Sequence, residues 1–327
     1  MTRLALMLVI GLTGCGADSG STAGGGGSTS PAGLVKVSLS LNWYPEAEHG
    51  GFYAALVHGY FEEEGLQVEI VAGGPGAPVI QEVAGGKATF GVANADRILL
   101  GRSQDADVVC VMAPLQHSPR GIMVHKKSGI KNFEDIKDIT LAMSAAGPWA
   151  LYVKKNVPLE SVEIVPYAGS VAEFLRNEKF AQQAYVFSEP FVAEKKGGDP
   201  HVLMVSELGF NPYTSGLIVR SETIEQQPKL VEKMVRASKR GWQKYLADAK
   251  QTNDYIHKQN PEMDLDILEY GAKAMRPLCV DEATPMDRLG AMTDERWKTL
   301  FGQLVEVDAV DAGSVDYRKA FTTRFLP

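Results

Sequence analysis

Apolar and polar residues alternate strictly through Val37-Ser38-Leu39-Ser40-Leu41, the period-two pattern of a strand with one buried face. A loop over 42–48 follows, then helical spacing over 49–64 that Gly65 ends. Leu66, Val68 and Ile70 mark a second strand. Gly73-Gly74-Pro75-Gly76 breaks the chain, and Pro78 opens a short helix to Ala84. A strand at 88–93, a helix at 96–102 and a strand at 108–112 come next. This order predicts a parallel sheet with helices on both faces.

The pattern then restarts. An apolar run at 121–125 is followed by a short helix that Asn132 caps, a strand at 139–143 and a helix from Gly147-Pro148 to Lys155. Further strands are expected at 162–165 and 184–187, with a helix from Ser170 to Asn177 between them and another at 189–196. Runs at 202–205 and 216–219 complete this second unit. Beyond Arg220 the chain reads as helix. Pro228 stands at a helix start, and Leu230, Val231, Met234, Val235, Ser238, Trp242 and Tyr245 recur at three- and four-residue steps.

The fold class is therefore α/β, with two units and a helical tail that returns to the first. Two crossings between units leave a cleft, and ligands of open α/β sheets sit beyond the carboxyl ends of strands. That rule nominates the loops 42–49, 72–78, 93–97, 116–120, 144–149, 167–170, 187–190 and 211–215.

Asn42-Trp43-Tyr44-Pro45-Glu46-Ala47-Glu48-His49 is the densest of them. Trp43 and Tyr44 can wall a slot for a flat heteroaromatic guest, each aromatic contact contributing ~0.5–1.5 kcal/mol beyond area burial; alternatively Trp43 packs beneath the loop. His49 either donates to a ligand or sits in the first helical turn. Asn94 and Asp96 either cap the next helix or present an amide and a carboxylate to the cleft, and Arg97 is a surface residue or a partner of Asp96. Gln116 opens the loop 116–120. Ser144, with Gly147 and Trp149, offers a hydroxyl and backbone N–H groups at a helix start, while Trp149 has its own helix as a rival contact. Glu189 in Ser188-Glu189-Pro190 stands at a helix N-terminus, where a carboxylate is stabilised and can anchor an amine or a protonated ring. Tyr167 and Tyr213 are candidates for a second aromatic wall.

Composition narrows the chemistry. GxSxG, HExxH, a Walker loop and GxGxxG are all absent, and Gly73-Gly74-Pro75-Gly76 reads as a turn that brings backbone to the cleft. A net charge of −7 argues against nucleic acid and against a basic membrane-binding face. No cofactor or metal site is expected. Cys110 lies in an apolar strand and Cys279 follows Pro277 in a turn-like segment; their pairing as a disulfide is left open.

The N-terminus carries a separate message. Arg3 precedes an apolar run from Leu4 to Leu12, and Leu12-Thr13-Gly14-Cys15 resembles the lipobox of bacterial lipoproteins, with Cys15 as the lipidated residue. About nine apolar residues at 1.5 Å each fall short of ~30 Å of hydrocarbon, so the run is not a stable span. The Gly, Ser, Thr, Ala and Pro of 16–33 form a flexible tether.

Several motifs together resemble one family. They are Leu41-Asn42-Trp43-Tyr44-Pro45 continuing through His49-Gly50-Gly51-Phe52-Tyr53-Ala54-Ala55, then Gly59-Tyr60-Phe61-Glu62-Glu63-Glu64-Gly65-Leu66, Val83-Ala84-Gly85-Gly86-Lys87-Ala88-Thr89-Phe90-Gly91-Val92, Ser188-Glu189-Pro190-Phe191 and Glu295-Arg296-Trp297. These resemble ABC-transporter substrate-binding lipoproteins of the group that takes thiamine pyrimidine precursors, riboflavin and sulfonates. The resemblance runs over roughly 36–325. It implies a two-lobed periplasmic-binding-protein type II (venus flytrap) fold, a ligand clamped between lobes, and closure that presents a surface to membrane permease subunits. It places Trp43, Tyr44, His49, Asn94, Asp96 and Glu189 in the family's binding loops. Pyrimidine binders of this type commonly carry aspartate before the tryptophan, where this chain has Asn42. A branch of the superfamily makes the thiamine pyrimidine from its own histidine and pyridoxal phosphate, but resembles a cysteine-rich motif this chain lacks. A ligand-sensing lipoprotein is a third reading.

The expected organisation is a signal segment 1–15, a linker 16–33, a first lobe from 34–115 and 221–327, and a second lobe from 116–220. A monomer, lipid-anchored in the cell envelope and facing the periplasm or the outside of the cytoplasmic membrane, follows from the tether and the resemblance.

Overall fold

The sheet that β1 (Val35–Ser40) begins has the order β2-β1-β3-β10-β4. Its other members are β2 (Leu66–Val71), β3 (Phe90–Ala93), β4 (Val109–Met112) and β10 (Gly216–Val219). A second sheet has the order β7-β6-β8-β5-β9. It contains β5 (Arg120–His125), β6 (Thr140–Ala142), β7 (Glu163–Val165), β8 (Phe180–Tyr185) and β9 (Pro200–Met204). The structure is a computed structural model and describes residues 33–326. The expected signal segment 1–15 with Cys15, and the expected tether up to residue 32, lie outside the described residues. No described helix is long and apolar enough to cross a membrane.

The parallel sheets read from the sequence are in fact mixed. β1 runs parallel to β2 and β3, but β10 is antiparallel to both β3 and β4. β6 runs parallel to β7 and β8, but β5 is antiparallel to β8 and β9. The cause is the path of the chain. Each antiparallel strand arrives from the other sheet and enters its new sheet from the opposite end. The strand 216–219, grouped by its sequence with the second unit, therefore belongs to the first sheet. The two crossing segments touch each other through an antiparallel bridge between Leu115 and Thr214.

The first sheet buries Leu39, Leu41, Phe90 and Leu217 against the helices Gly50–Val57 and Pro228–Ala247. Those helices approach until Cβ atoms no longer fit: a Cβ on Gly51 would stand 2.0 Å from Cγ of Trp242, which is fully buried. Glycine at 51 is what the contact requires. The helical tail packs on the first sheet as expected, and it also does more. The helix Asp294–Glu306 sets Trp297, Leu300 and Leu304 into a core shared by Ile98 and Leu99 of the first unit and Ile122, Leu141 and Val153 of the second.

Cys110 and Cys279 are buried free thiols, so the disulfide left open by the sequence is absent. Cys110 Sγ points to the Met112 carbonyl at 3.5 Å, and burial pushes its thiol up to about 12. Cys279 is not in a turn: the helix Leu265–Cys279 continues through Pro277.

Candidate ligand-binding cleft

The chain leaves β1 into the loop that carries Asn42, Trp43, Glu46 and Glu48 to one wall of a cavity of about 540 Å³. Close backbone packing holds this loop. Gly73 N–H donates to the Trp43 carbonyl at 3.0 Å, and a Cβ on Gly73 would meet the Leu41 carbonyl oxygen at 2.0 Å. Tyr44 is not part of the wall. It is 48% exposed, sits edge-on to Trp43 at 5.5 Å and lies over Gly74. His49 is fully buried, with Nε2 2.9 Å from Asn42 Oδ1 and 3.0 Å from Glu48 Oε1. It braces the loop from behind.

Asn94, after β3, lines the cavity but does not cap the following helix. Its amide donates to the Tyr185 hydroxyl at 3.1 Å, and its Oδ1 accepts from Ser215 N–H at 3.1 Å. One side chain thus ties the first sheet, the second sheet and a crossing segment. Asp96 is buried off the cavity wall, accepting from Arg97 N–H at 2.9 Å. Arg97 is exposed and its backbone bonds Asp96, as the sequence reading allowed, and its side chain also lines the cavity and reaches the second unit. A Cβ on Gly147 would be 2.9 Å from its guanidinium.

The second sheet supplies the facing wall. Arg120, at the start of β5, has its guanidinium carbon 4.8 Å from the Trp149 ring centre and 4.5 Å from that of Tyr185, and donates to the Tyr185 hydroxyl at 2.7 Å. Trp149 is buried yet borders the cavity, so its two alternatives coexist. Ser144 N–H donates to Gln183 Oε1 at 2.7 Å at the end of β6. Glu189 accepts from the Tyr167 hydroxyl at 2.6 Å and from Tyr185 N–H at 2.8 Å. Its helix, Glu189–Lys195, is fastened to the tail by a stacked Phe191–Tyr270 pair at 4.5 Å and by Lys195, 2.6 Å from Asp266.

Gln116 and Tyr213 stand away from the cavity and secure the crossings. Gln116 donates to the Ala113 and Ala291 carbonyls at 2.8 and 3.0 Å. The Tyr213 hydroxyl accepts from Thr293 N–H at 3.0 Å, and the Arg296 guanidinium lies 3.8 Å over its ring. Arg296 also donates to the Asn211 carbonyl at 3.0 Å, which gives Glu295-Arg296-Trp297 a structural task.

Electrostatically the cleft is unusual. Burial holds the Glu46 carboxyl well above the ordinary carboxylate range, and neighbouring Glu48 and Glu189 lift it further. Burial also raises Glu189, although hydrogen bonds from Tyr167 and Tyr185 pull it back. Tyr185 is pushed up to about 12 by burial. Tyr167 is raised by burial and by the charge of Glu189. Among the described residues, no three His, Cys, Asp or Glu side chains converge to hold a metal ion.

Of the eleven residues expected at the site, the structure brings Trp43, Asn94, Ser144, Trp149, Tyr167 and Glu189 to one cavity. Tyr44, His49, Asp96, Gln116 and Tyr213 are off its wall. Glu46, Glu48, Arg97, Arg120 and Tyr185 join it without having been given a binding role. Glu46, Glu48, Arg97 and Arg120 lay inside nominated loops, and Tyr185 ends a strand just ahead of one.

Comparison with known proteins gives a consistent neighbourhood. The chain is 24% identical to the riboflavin-binding protein RibY of Chloroflexus aurantiacus, over 99% of this chain and 97% of that protein. It is 21% identical to the formylaminopyrimidine-binding protein of Halalkalibacterium halodurans, over 83% and 85%. It is 20% identical to the 4-amino-5-hydroxymethyl-2-methylpyrimidine phosphate synthase of Legionella pneumophila, over 89% and 92%. The fold matches the crystal structure of the periplasmic aliphatic sulphonate binding protein SsuA from Escherichia coli with a TM-score of 0.68 at 14% identity, covering 87% of this chain and 91% of that one. The two mixed five-stranded sheets of this chain thus match structures of the periplasmic-binding-protein type II class. Residues 46–252, more than half of the 327, match the family described as NMT1/THI5 like, and the chain belongs to that family.

Proposed function

We propose that this protein captures a small heteroaromatic nutrient, a thiamine pyrimidine precursor or a related vitamin-like compound, between its two lobes and delivers it to the permease subunits of an ABC importer. The observation that carries this reading is the cavity itself. Trp43 borders it from the first unit, Trp149 and Tyr185 from the second, and Glu189 stands among them with both carboxylate oxygens already oriented by hydrogen bonds. A flat ring gains from the aromatic walls, and its polar edge gains from an oriented carboxylate. The names of RibY and of the formylaminopyrimidine-binding protein support a ligand of this kind.

Binding would act by population shift. An open form samples closure, and a guest touching both lobes stabilises the closed one. The lobes are taken as 34–115 with the segment from β10 onward, and 116–215. The importer role is supported by the names of RibY and the formylaminopyrimidine-binding protein, both binding proteins, together with the fold shared with SsuA. Lipidation at Cys15, a tether over 16–33, and a position outside the cytoplasmic membrane complete the proposal. Small molecules released from the purified, denatured protein and identified by mass spectrometry test it directly; a retained heteroaromatic compound is the expected result.

The synthases among the relatives favour a second reading, an enzyme that forms the pyrimidine. Incubation with pyridoxal phosphate and iron separates the two, because a synthase yields pyrimidine product and a binding protein yields none.

A further inference from the structure

Glu46, Glu48 and Glu189 meet at the cleft from two lobes, and two of them are almost sealed from solvent: Glu46 is 6% exposed and Glu48 1%. The groups facing them are few. Arg120 stands near Glu189, but its guanidinium is already bonded to Tyr185 and held against two rings. His49 Nε2 is shared between Asn42 and Glu48, and the Glu48 Oε1 it approaches makes no well-directed hydrogen bond. The remaining neighbours are hydroxyls: Tyr167 on Glu189, Tyr185 near Glu48, and Tyr245 near Glu46. Arg97 leans over Gly147 instead. Burial of Glu46 and the charges of Glu48 and Glu189 all oppose its ionisation.

We propose that the cleft takes its heterocycle as a cation, and that the cation displaces a carboxyl proton held by Glu46 or Glu189 into bulk water. The inference rests on the heterocycle-binding reading above and assigns the guest's charge. Carboxyl O–H bonds are what break, the proton leaves to solvent, and the positive charge of the guest replaces it. An oxyanion such as a sulfonate would meet three carboxyls, and of the two guanidiniums that line the cleft, that of Arg120 is already engaged by Tyr185. The raised carboxyls of Glu46 and Glu189 agree with a proton held in the empty state.

The test is titration calorimetry of the full chain near pH 7 in two buffers of contrasting ionisation heat, phosphate and bis-tris. The probes are the cationic 5-aminomethyl and the neutral 5-hydroxymethyl derivatives of 4-amino-2-methylpyrimidine, riboflavin and methanesulfonate. The expected result is about tenfold or greater preference for the aminomethyl compound, equivalent to ~1.4 kcal/mol, with net proton release on binding. Glu46→Gln should cut both the preference and the release; if that variant does not fold, the wild-type proton count decides alone. Equal affinity for the two pyrimidines, proton uptake, or tighter binding of riboflavin than of the aminomethyl compound would overturn the inference and leave the heterocycle reading standing. Failure of every heterocycle to bind, with or without binding of methanesulfonate, would overturn both.

Discussion

Asn94 of the first unit donates to the hydroxyl of Tyr185 in the second across 3.1 Å, and the same hydroxyl accepts from Arg120 at 2.7 Å. One phenol oxygen therefore joins the two sides of the cleft and fixes the guanidinium that stacks on Trp149. Tyr185→Phe keeps the ring and deletes this junction. Loss of hydrogen bonds to a charged donor costs ~1.5–3 kcal/mol. Ligand affinity should fall by roughly 10- to 100-fold by titration calorimetry, while the far-ultraviolet circular dichroism stays that of the parent.

Trp43 borders the cavity and is only partly buried, so its removal touches the ligand more than the core. Trp43→Ala should weaken binding by about tenfold or more and leave the melting temperature within a few degrees. Glu189→Ala should weaken binding at least as much, because Tyr167 and Tyr185 N–H lose their acceptor together with the ligand. Fluorescence titration and thermal melts of both variants provide the check.

The raised carboxyls set the sign of a pH effect. Glu46 and Glu189 have folded-state values above the unfolded ~4.3. Their contribution to stability is complete below that value and is lost as pH rises through the higher folded one, since the folded state then holds protons the unfolded chain has released. The ligand-free protein should lose stability from mildly acidic toward alkaline pH. Glu46→Gln should flatten this slope in denaturant melts taken at several pH values.

Gly51 faces the buried Trp242 with no room for a methyl group. Gly51→Ala must separate the helices Gly50–Val57 and Pro228–Ala247, at ~1–3 kcal/mol or more. A lowered urea midpoint with an unchanged slope is the expected reading.

The strands and the 42–48 loop were legible because their signals are local. Alternation at 37–41 reports a buried face directly, and aromatics with carboxylates before a helix mark a strand-end loop. Tyr44 lies over Gly74 and is exposed, while its neighbour Trp43 lines the cavity, a difference that no local spacing encodes. His49, Gln116 and Tyr213 are fixed by partners that spacing cannot reveal. Gln116 accepts from Arg296, 180 residues away, at 3.3 Å. Tyr185 sits at the end of a strand, where side chains read as sheet rather than site, and Arg120 lay in a nominated loop with no neighbouring signal to give it a role. The antiparallel entry of β5 and β10 follows from chain crossings that leave no trace in local pattern.

On the proposed function, one planar, nitrogen-bearing guest sits between Trp43 and Trp149 with its edge on Glu189. Native mass spectrometry of the purified protein measures this most directly, comparing the parent with the Trp43→Ala, Glu189→Ala double variant. One heteroaromatic adduct per chain on the parent, lost from the double variant, is the predicted result. An adduct retained equally by both, or one that is not a heterocycle, would contradict the account.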